Sequence, residues 1–212
     1  MDNYIIRENM IGLDRYFDER YYCYAEKDLS AAGYRYEKCM NCGRNIVHEL
    51  PSTEKSGYIL DGGKHYPDFL QYNSTGLRFL VSEKVIKAFS ENNVTGFDQI
   101  VEAPVYRISK GSLEKQDIRY YNLNIYGSID LNLKAMALKK KHICPCCNQF
   151  DWSRQRLSII KTAFDMDAWD NSDLCRIQSF PGIVVFSEKI KSIVKEYSLC
   201  GVRFKLEEEI FL

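Results

Sequence analysis

Two C-x-x-C pairs constrain this 212-residue chain more than any other feature of its sequence. Cys39 and Cys42 form the first pair, Cys144 and Cys147 form the second, and 105 residues separate the two. Thiolates three positions apart on a tight turn supply two of the four soft ligands of a tetrahedral zinc site. The spacing therefore predicts one structural zinc ion per chain, held by all four thiolates.

The same offset of 105 residues relates a second part of the sequence. Segments 79–98 and 184–203 align without a gap, with 5 identities and 8 pairs in which both residues are apolar. Asp68-Phe69 aligns with Asp173-Leu174 under the same shift. We interpret the chain as two copies of one unit. Convergent use of the common strand–turn–helix pattern is the alternative.

Each copy has the pattern of a strand followed by a helix. A short apolar run precedes Ser82 and Ser187, which are predicted N-caps whose hydroxyls accept an amide of the first helical turn. Apolar residues then recur at helical spacing and give each helix one buried face. Gly96 and Gly201 end the pattern as predicted left-handed or tight-turn residues. Gly43 and Asn148, which follow the two cysteine pairs, also tolerate positive φ.

The expected fold is α+β, built from two tandem pseudo-repeats that each combine a small sheet, a packed helix and a C-x-x-C zinc-knuckle loop. The predicted boundaries are 1–107 and 108–212, within one compact unit. Lys and Arg number 29, as do Asp and Glu, so the net charge is zero and a large nucleic-acid or anionic-membrane footprint is disfavoured. No apolar run is long enough to span a membrane and no signal peptide is recognisable, so we expect a cytoplasmic protein.

Other uses of the cysteines remain open. A C-x-x-C pair can be redox-active, or the cysteines can be small hydrophobic residues without a metal. The basic run 139–142 beside the second pair makes a zinc-ribbon-like nucleic-acid-binding protein the alternative function. Cys146 or His142 can substitute as a ligand. Three further cysteines stand in apolar or aromatic surroundings and are assigned to packing: Cys23, Cys175 and Cys200.

No catalytic pattern is recognisable in the sequence. His48, His65 and His142 lack a matching Ser, Cys or carboxylate motif. An acidic stretch between Asp165 and Asp173 lacks the central Gly and terminal Glu of an EF-hand, so it is interpreted as an exposed turn. We therefore expect no enzymatic activity.

The motifs together resemble those of the double-CXXCG motif proteins. The resemblance extends from Tyr4 to Phe204 and includes both cysteine pairs and a closing element from Phe180 onward. It departs from the family pattern at Asn148, where the second motif of the family has Gly. The segments that carry it are Cys39-Met-Asn-Cys42-Gly43, Phe79-Leu-Val-Ser82-Glu83-Lys84, the pair at Cys144, and Phe180-Pro-Gly-Ile-Val-Val-Phe-Ser187-Glu-Lys189 with Gly201-Val-Arg-Phe204.

The resemblance implies an immunity protein, a small cytoplasmic partner that binds and neutralises a cognate bacterial toxin. The family has no known catalytic residues that could be assigned to positions of this sequence, and its motif cysteines are taken as metal ligands. The resemblance thus implies protein–protein interaction on a non-catalytic scaffold with a structural metal.

Overall fold

The computed structural model describes residues 4–7, 22–26, 34–49, 58–62, 65–72, 79–103, 105–108, 119–135, 143–148, 164–202 and 204–206. Its two α-helices are α1 (Glu83–Glu91) and α2 (Glu188–Glu196). The strands are β1 (Tyr4–Arg7), β2 (Tyr22–Glu26), β3 (Tyr34–Lys38), β4 (Asn45–Glu49), β5 (Tyr58–Gly62), β6 (Phe69–Tyr72), β7 (Phe79–Ser82), β8 (Phe97–Ala103), β9 (Val105–Ile108), β10 (Tyr120–Ile125), β11 (Ser128–Leu131), β12 (Phe164–Asp165), β13 (Leu174–Ile177), β14 (Phe180–Phe186) and β15 (Lys205–Leu206). The predicted α+β class is confirmed. Neither helix of this part of the chain is long and apolar enough to cross a membrane.

The strands form two large sheets and one hairpin, β3–β4. The first sheet has the order β12-β11-β13-β14-β1-β15. The second has the order β9-β5-β2-β6-β7-β10-β8, in which the last six positions correspond one by one to the first sheet. In both, the pair at the same position is parallel: β2 with β6, and β11 with β13. The paired residues Cys23↔Gln71 and Ser128↔Arg176 are also related by the offset of 105 residues, which separates Cys23 from Ser128 and Gln71 from Arg176.

The two sheets exchange strands between distant parts of the chain. β1, near the N-terminus, pairs antiparallel with β14, from Tyr4↔Phe186 to Arg7↔Ile183. β10, which follows the predicted boundary at 107, pairs antiparallel with β7 in the other sheet. Each sheet is therefore completed by a strand from the opposite half of the sequence.

Both helices contribute to one aromatic core. Val85, Ala88 and Phe89 are the buried residues of α1, and α2 buries its own apolar stripe of Ile190, Ile193 and Val194. All six belong to the same buried cluster. At its centre the Phe69 ring lies 6.0, 6.3 and 6.5 Å from three other rings, which belong to Phe79, Phe89 and Phe186. The two helices and the strands that precede them thus share one hydrophobic interior.

Reciprocal hydrogen bonds join each helix start to the turn after the other helix. Asp68 accepts the Ser82 hydroxyl at 2.7 Å through Oδ1 and the Cys200 backbone N–H at 2.9 Å through Oδ2. The same two contacts, at 2.8 and 3.0 Å, occur in a second set of residues: Asp173, Ser187 and Thr95. Each carboxylate thus bridges the N-cap of one helix and the turn after the other helix. Two such hydrogen-bonded bridges connect the two halves of the described chain.

The helix caps agree only in part with the prediction. The Ser82 hydroxyl accepts the Val85 N–H at 3.4 Å, as expected of an N-cap. Ser187 is also the N-cap residue, but its side chain makes no capping bond. Its hydroxyl instead donates to Asp173, and the Ile190 N–H bonds to the backbone oxygen of Ser187 at 3.1 Å. The prediction that both hydroxyls cap their helices was therefore wrong for Ser187.

We expect Asp173 to make stability depend on pH. Burial acts to raise the pKa of this carboxyl, but hydrogen bonds from Lys189 and Ser187 outweigh it and hold the pKa below its ordinary value. A carboxyl with a lowered folded pKa stabilises the fold above its unfolded pKa, and that contribution is lost as the pH falls through the folded value. The urea midpoint of Asp173→Asn should therefore fall less than that of the natural chain between about pH 6 and pH 3. Parallel curves for the two proteins would contradict this role.

Candidate metal centre

The first cysteine knuckle is the tip of the β3–β4 hairpin. The pair Lys38↔Asn45 closes the hairpin directly beside it. Within the turn, the Gly43 N–H donates to the Cys39 backbone oxygen at 2.8 Å, and the Cys39 N–H donates to the Arg44 oxygen at 2.7 Å. Gly43 has φ +71°, which confirms the predicted left-handed position. The hairpin therefore holds the loop in one tight turn.

The second knuckle repeats the turn of the first. The Asn148 N–H donates to the Cys144 backbone oxygen at 2.8 Å, and Asn148 has φ +54°. Asn is one of the few non-Gly residues that adopt this conformation routinely. Asn148 thus gives the second knuckle the same left-handed turn position that Gly43 gives the first.

The fold brings the two knuckles together. The Cys39 and Cys144 sulfurs are 3.6 Å apart, the Cys42 and Cys147 sulfurs are 3.7 Å apart, and all four lie within 4.8 Å of one another. A tetrahedral site with Zn–S bonds of about 2.3 Å needs sulfurs about 3.8 Å apart. Cys39 and Cys144 are buried, whereas Cys42 and Cys147 are partly exposed. These four thiols can hold a metal ion.

Backbone N–H groups lower the pKa of the first cysteine thiol in each knuckle. The Cys147 N–H, followed by the Asn41 side chain, lowers the pKa of Cys144 to about 6. The Cys42 N–H does the same for Cys39, whose pKa is also lowered. Metals bind the thiolate, so a thiol that ionises easily gives up its proton at little cost when the ion arrives.

Asn41 is a site residue that sequence reasoning missed. Its side-chain amide donates to the Cys144 sulfur at 3.3 Å, across the gap between the knuckles. Hydrogen bonds to ligand atoms orient them and tune their basicity. Only its place inside the first C-x-x-C loop could have marked Asn41 in advance.

Cys175 and Cys200 lie outside the four-thiol cluster. Cys175 is buried, and burial raises the pKa of its thiol to about 12, in agreement with a packing role. Cys200 is partly buried, with its sulfur 3.8 Å from the Tyr66 backbone oxygen. The side chain of Cys23 and all of 139–142, including His142, fall outside the described residues.

The acidic stretch is a hydrogen-bonded turn. A 3-10 turn occupies Met166–Ala168, and the Asp170 carboxylate accepts the Ser128 and Ser172 N–H groups, both at 2.9 Å. Among the described residues, the thiol cluster is the one group of three or more metal-ligating side chains that can hold an ion.

Comparison of the sequence with models of known protein families finds no match, and comparison with curated proteins finds none either.

Proposed function

We propose that the four thiols bind one structural zinc ion. An all-sulfur, near-tetrahedral donor set is the type that zinc occupies in structural sites. Such a site leaves no open coordination position for water or substrate, and therefore favours a structural over a catalytic ion. The ion would tie the β3–β4 hairpin to the 143–148 loop.

Elemental analysis provides the direct test of this proposal. Protein purified without chelator should contain about one zinc per chain, because four thiolates complete one tetrahedral site. A metal-free preparation, two ions per chain, or iron in place of zinc would each contradict it. Cys175→Ser should leave the metal content unchanged, since that thiol lies outside the cluster.

We further propose that the chain consists of two pseudo-repeats, 1–107 and 108–212. The matching strand orders of the two sheets support this, as do the aspartate contacts that recur at a constant shift. Both knuckles also use the same turn and meet through equivalent cysteines. The buried cluster that contains residues of both segments supports one compact unit for the two proposed repeats.

We infer that the protein is an immunity protein that neutralises a cognate bacterial toxin in the cytoplasm. The observation that carries this proposal is the meeting of both C-x-x-C motifs at one cluster, because those motifs carry the resemblance to the double-CXXCG family. A rigid scaffold with a closed metal site suits a protein that inhibits by covering a surface, which requires complementarity and no chemistry.

Co-expression tests the immunity function. The toxin candidate is the product of the gene that neighbours this one, expressed under an inducible promoter with this chain or with an empty vector. We expect growth arrest with the vector and growth with the chain, and a complex of the two proteins on size exclusion. Equal growth arrest in both cultures, or a neighbouring product without toxicity, would overturn the proposal.

A further inference from the structure

The side chain of Asn41 connects the two cysteine loops. Its Nδ2 atom donates to the Cys144 sulfur at 3.3 Å, although the two residues are 103 positions apart in the sequence. Asn41 lies between Cys39 and Cys42, so this hydrogen bond runs from one half of the four-thiol cluster to the other. The amide therefore joins the same two loops that a metal ion in the cluster would join.

The chemistry of an amide suits this place. Four thiolates carry more negative charge than a divalent ion neutralises, and the excess stays on the sulfur atoms. A neutral N–H donor offsets part of that charge and fixes the orientation of the sulfur that accepts it. A carboxylate of the same shape would add negative charge and offer no donor. The Asn41 amide is thus matched to Cys144 as a metal-bound thiolate.

We propose that Asn41 is a positioning residue of the metal centre, which holds Cys144 in place as a ligand and thereby slows loss of the ion. This inference rests on the proposed zinc site. Outer-shell partners of metal ligands typically change metal affinity 10–100-fold when they are replaced. Asn41 is exposed, so water replaces part of the lost hydrogen bonding, and we expect an effect of about tenfold.

The first cysteine loop offers both the test variants and their control. Asn41→Ala removes the donor. Asn41→Asp keeps the shape of the side chain but places an ionised carboxylate beside the Cys144 sulfur. Met40→Ala is the matched control, because Met40 stands next to Asn41 in the same loop, is 95% exposed and is not one of the clustered ligands.

The rate of metal transfer measures the effect. The full zinc-loaded proteins are mixed with an excess of a colorimetric zinc chelator, and its absorbance is followed with time. We expect Asn41→Ala to lose zinc about tenfold faster than the natural chain, Asn41→Asp to lose it faster still, and Met40→Ala to match the natural chain. Equal rates for the natural chain and Asn41→Ala, or the same acceleration in Met40→Ala, would overturn the proposal.

Cobalt(II) spectra distinguish an effect on the ligand from a general loosening of the loop. A hydrogen bond to a thiolate lowers the energy of the sulfur electrons, so its removal should move the sulfur-to-cobalt charge-transfer band to longer wavelength. The visible d–d bands report tetrahedral geometry and should stay unchanged in Asn41→Ala. An unshifted charge-transfer band, or loss of the tetrahedral d–d bands, would contradict a role exerted through the Cys144 sulfur.

Two separate measurements keep this inference distinct from the zinc proposal. The zinc content of the natural chain as purified tests the zinc proposal alone. Titration of the reduced, metal-free proteins with cobalt(II) compares the affinities of the natural chain and Asn41→Ala, whichever ion the cell supplies. Equal cobalt affinities would overturn the role of Asn41 and leave the zinc site standing, and a natural chain that binds neither ion would overturn both.

Discussion

Replacing Cys39 or Cys147 with serine should abolish stable metal binding and unfold most of the protein at 37 °C or below. Structural zinc sites have apparent binding free energies of about 10–16 kcal/mol in small peptides, which equals or exceeds the total stability of about 5–15 kcal/mol of a typical domain. Cys39 is only 2% exposed, so its serine variant also leaves a hydroxyl in a site shaped for sulfur. Elemental analysis and thermal melts followed by circular dichroism measure both effects.

The matched control is Cys146→Asn. It removes a thiol from the loop that carries Cys147 but leaves all four clustered thiols in place. It should retain the metal and melt close to the natural chain. Excess chelator should lower the melting temperature of the natural chain toward that of the serine variants. If the serine variants melt with the natural chain and retain one ion, four-thiol coordination is wrong.

Gly96→Ala should be the most damaging conservative change away from the metal centre. A Cβ at Gly96 would lie 2.0 Å from the Leu174 backbone oxygen, and the residue has φ +99°. The blocking atom belongs to the backbone of β13 and cannot swing aside, so the turn or the strand has to move. We expect a loss of about 3 kcal/mol or more in the free energy of unfolding, measured by urea denaturation.

Gly43→Ala provides the control for this prediction. Gly43 also has positive φ, at +71°, but an added Cβ would meet no atom within 4 Å. Its alanine variant should therefore show only the left-handed backbone penalty, about 1–2 kcal/mol. Gly201→Ala should resemble Gly96→Ala, since its Cβ would lie 2.5 Å from the Phe69 backbone oxygen. Similar losses at positions 43 and 96 would show that close packing around Gly96 is not the cause.

The parts of the structure that sequence reasoning predicted have either local causes or a fixed chemical requirement. Positive φ at Gly43, Asn148, Gly96 and Gly201 follows from the intrinsic freedom of Gly and Asn. The helices begin after Ser82 and Ser187 because helical apolar spacing starts there in both segments. The meeting of the cysteine pairs was predicted from the ligand count of zinc, a chemical constraint that holds at any sequence separation.

The parts that were missed depend on which distant groups become neighbours. Nothing in the Ser187 segment indicates that its hydroxyl donates to Asp173, since a serine before a helix usually accepts from the helix. The contact between Asn41 and Cys144 requires the relative orientation of two loops. The pairing of β1 with β14 likewise cannot be read from either segment, because a short apolar strand can pair with many others.

That pairing of β1 with β14 has a consequence for how the chain acquires its structure in the cell. The strand at residues 4–7 is synthesised long before its partner segment at 183–186. Contacts between such remote segments close large loops and slow folding. β1 therefore lacks both of its partner strands, β14 and β15, until those later segments have been synthesised, and the first sheet can be completed only after that point.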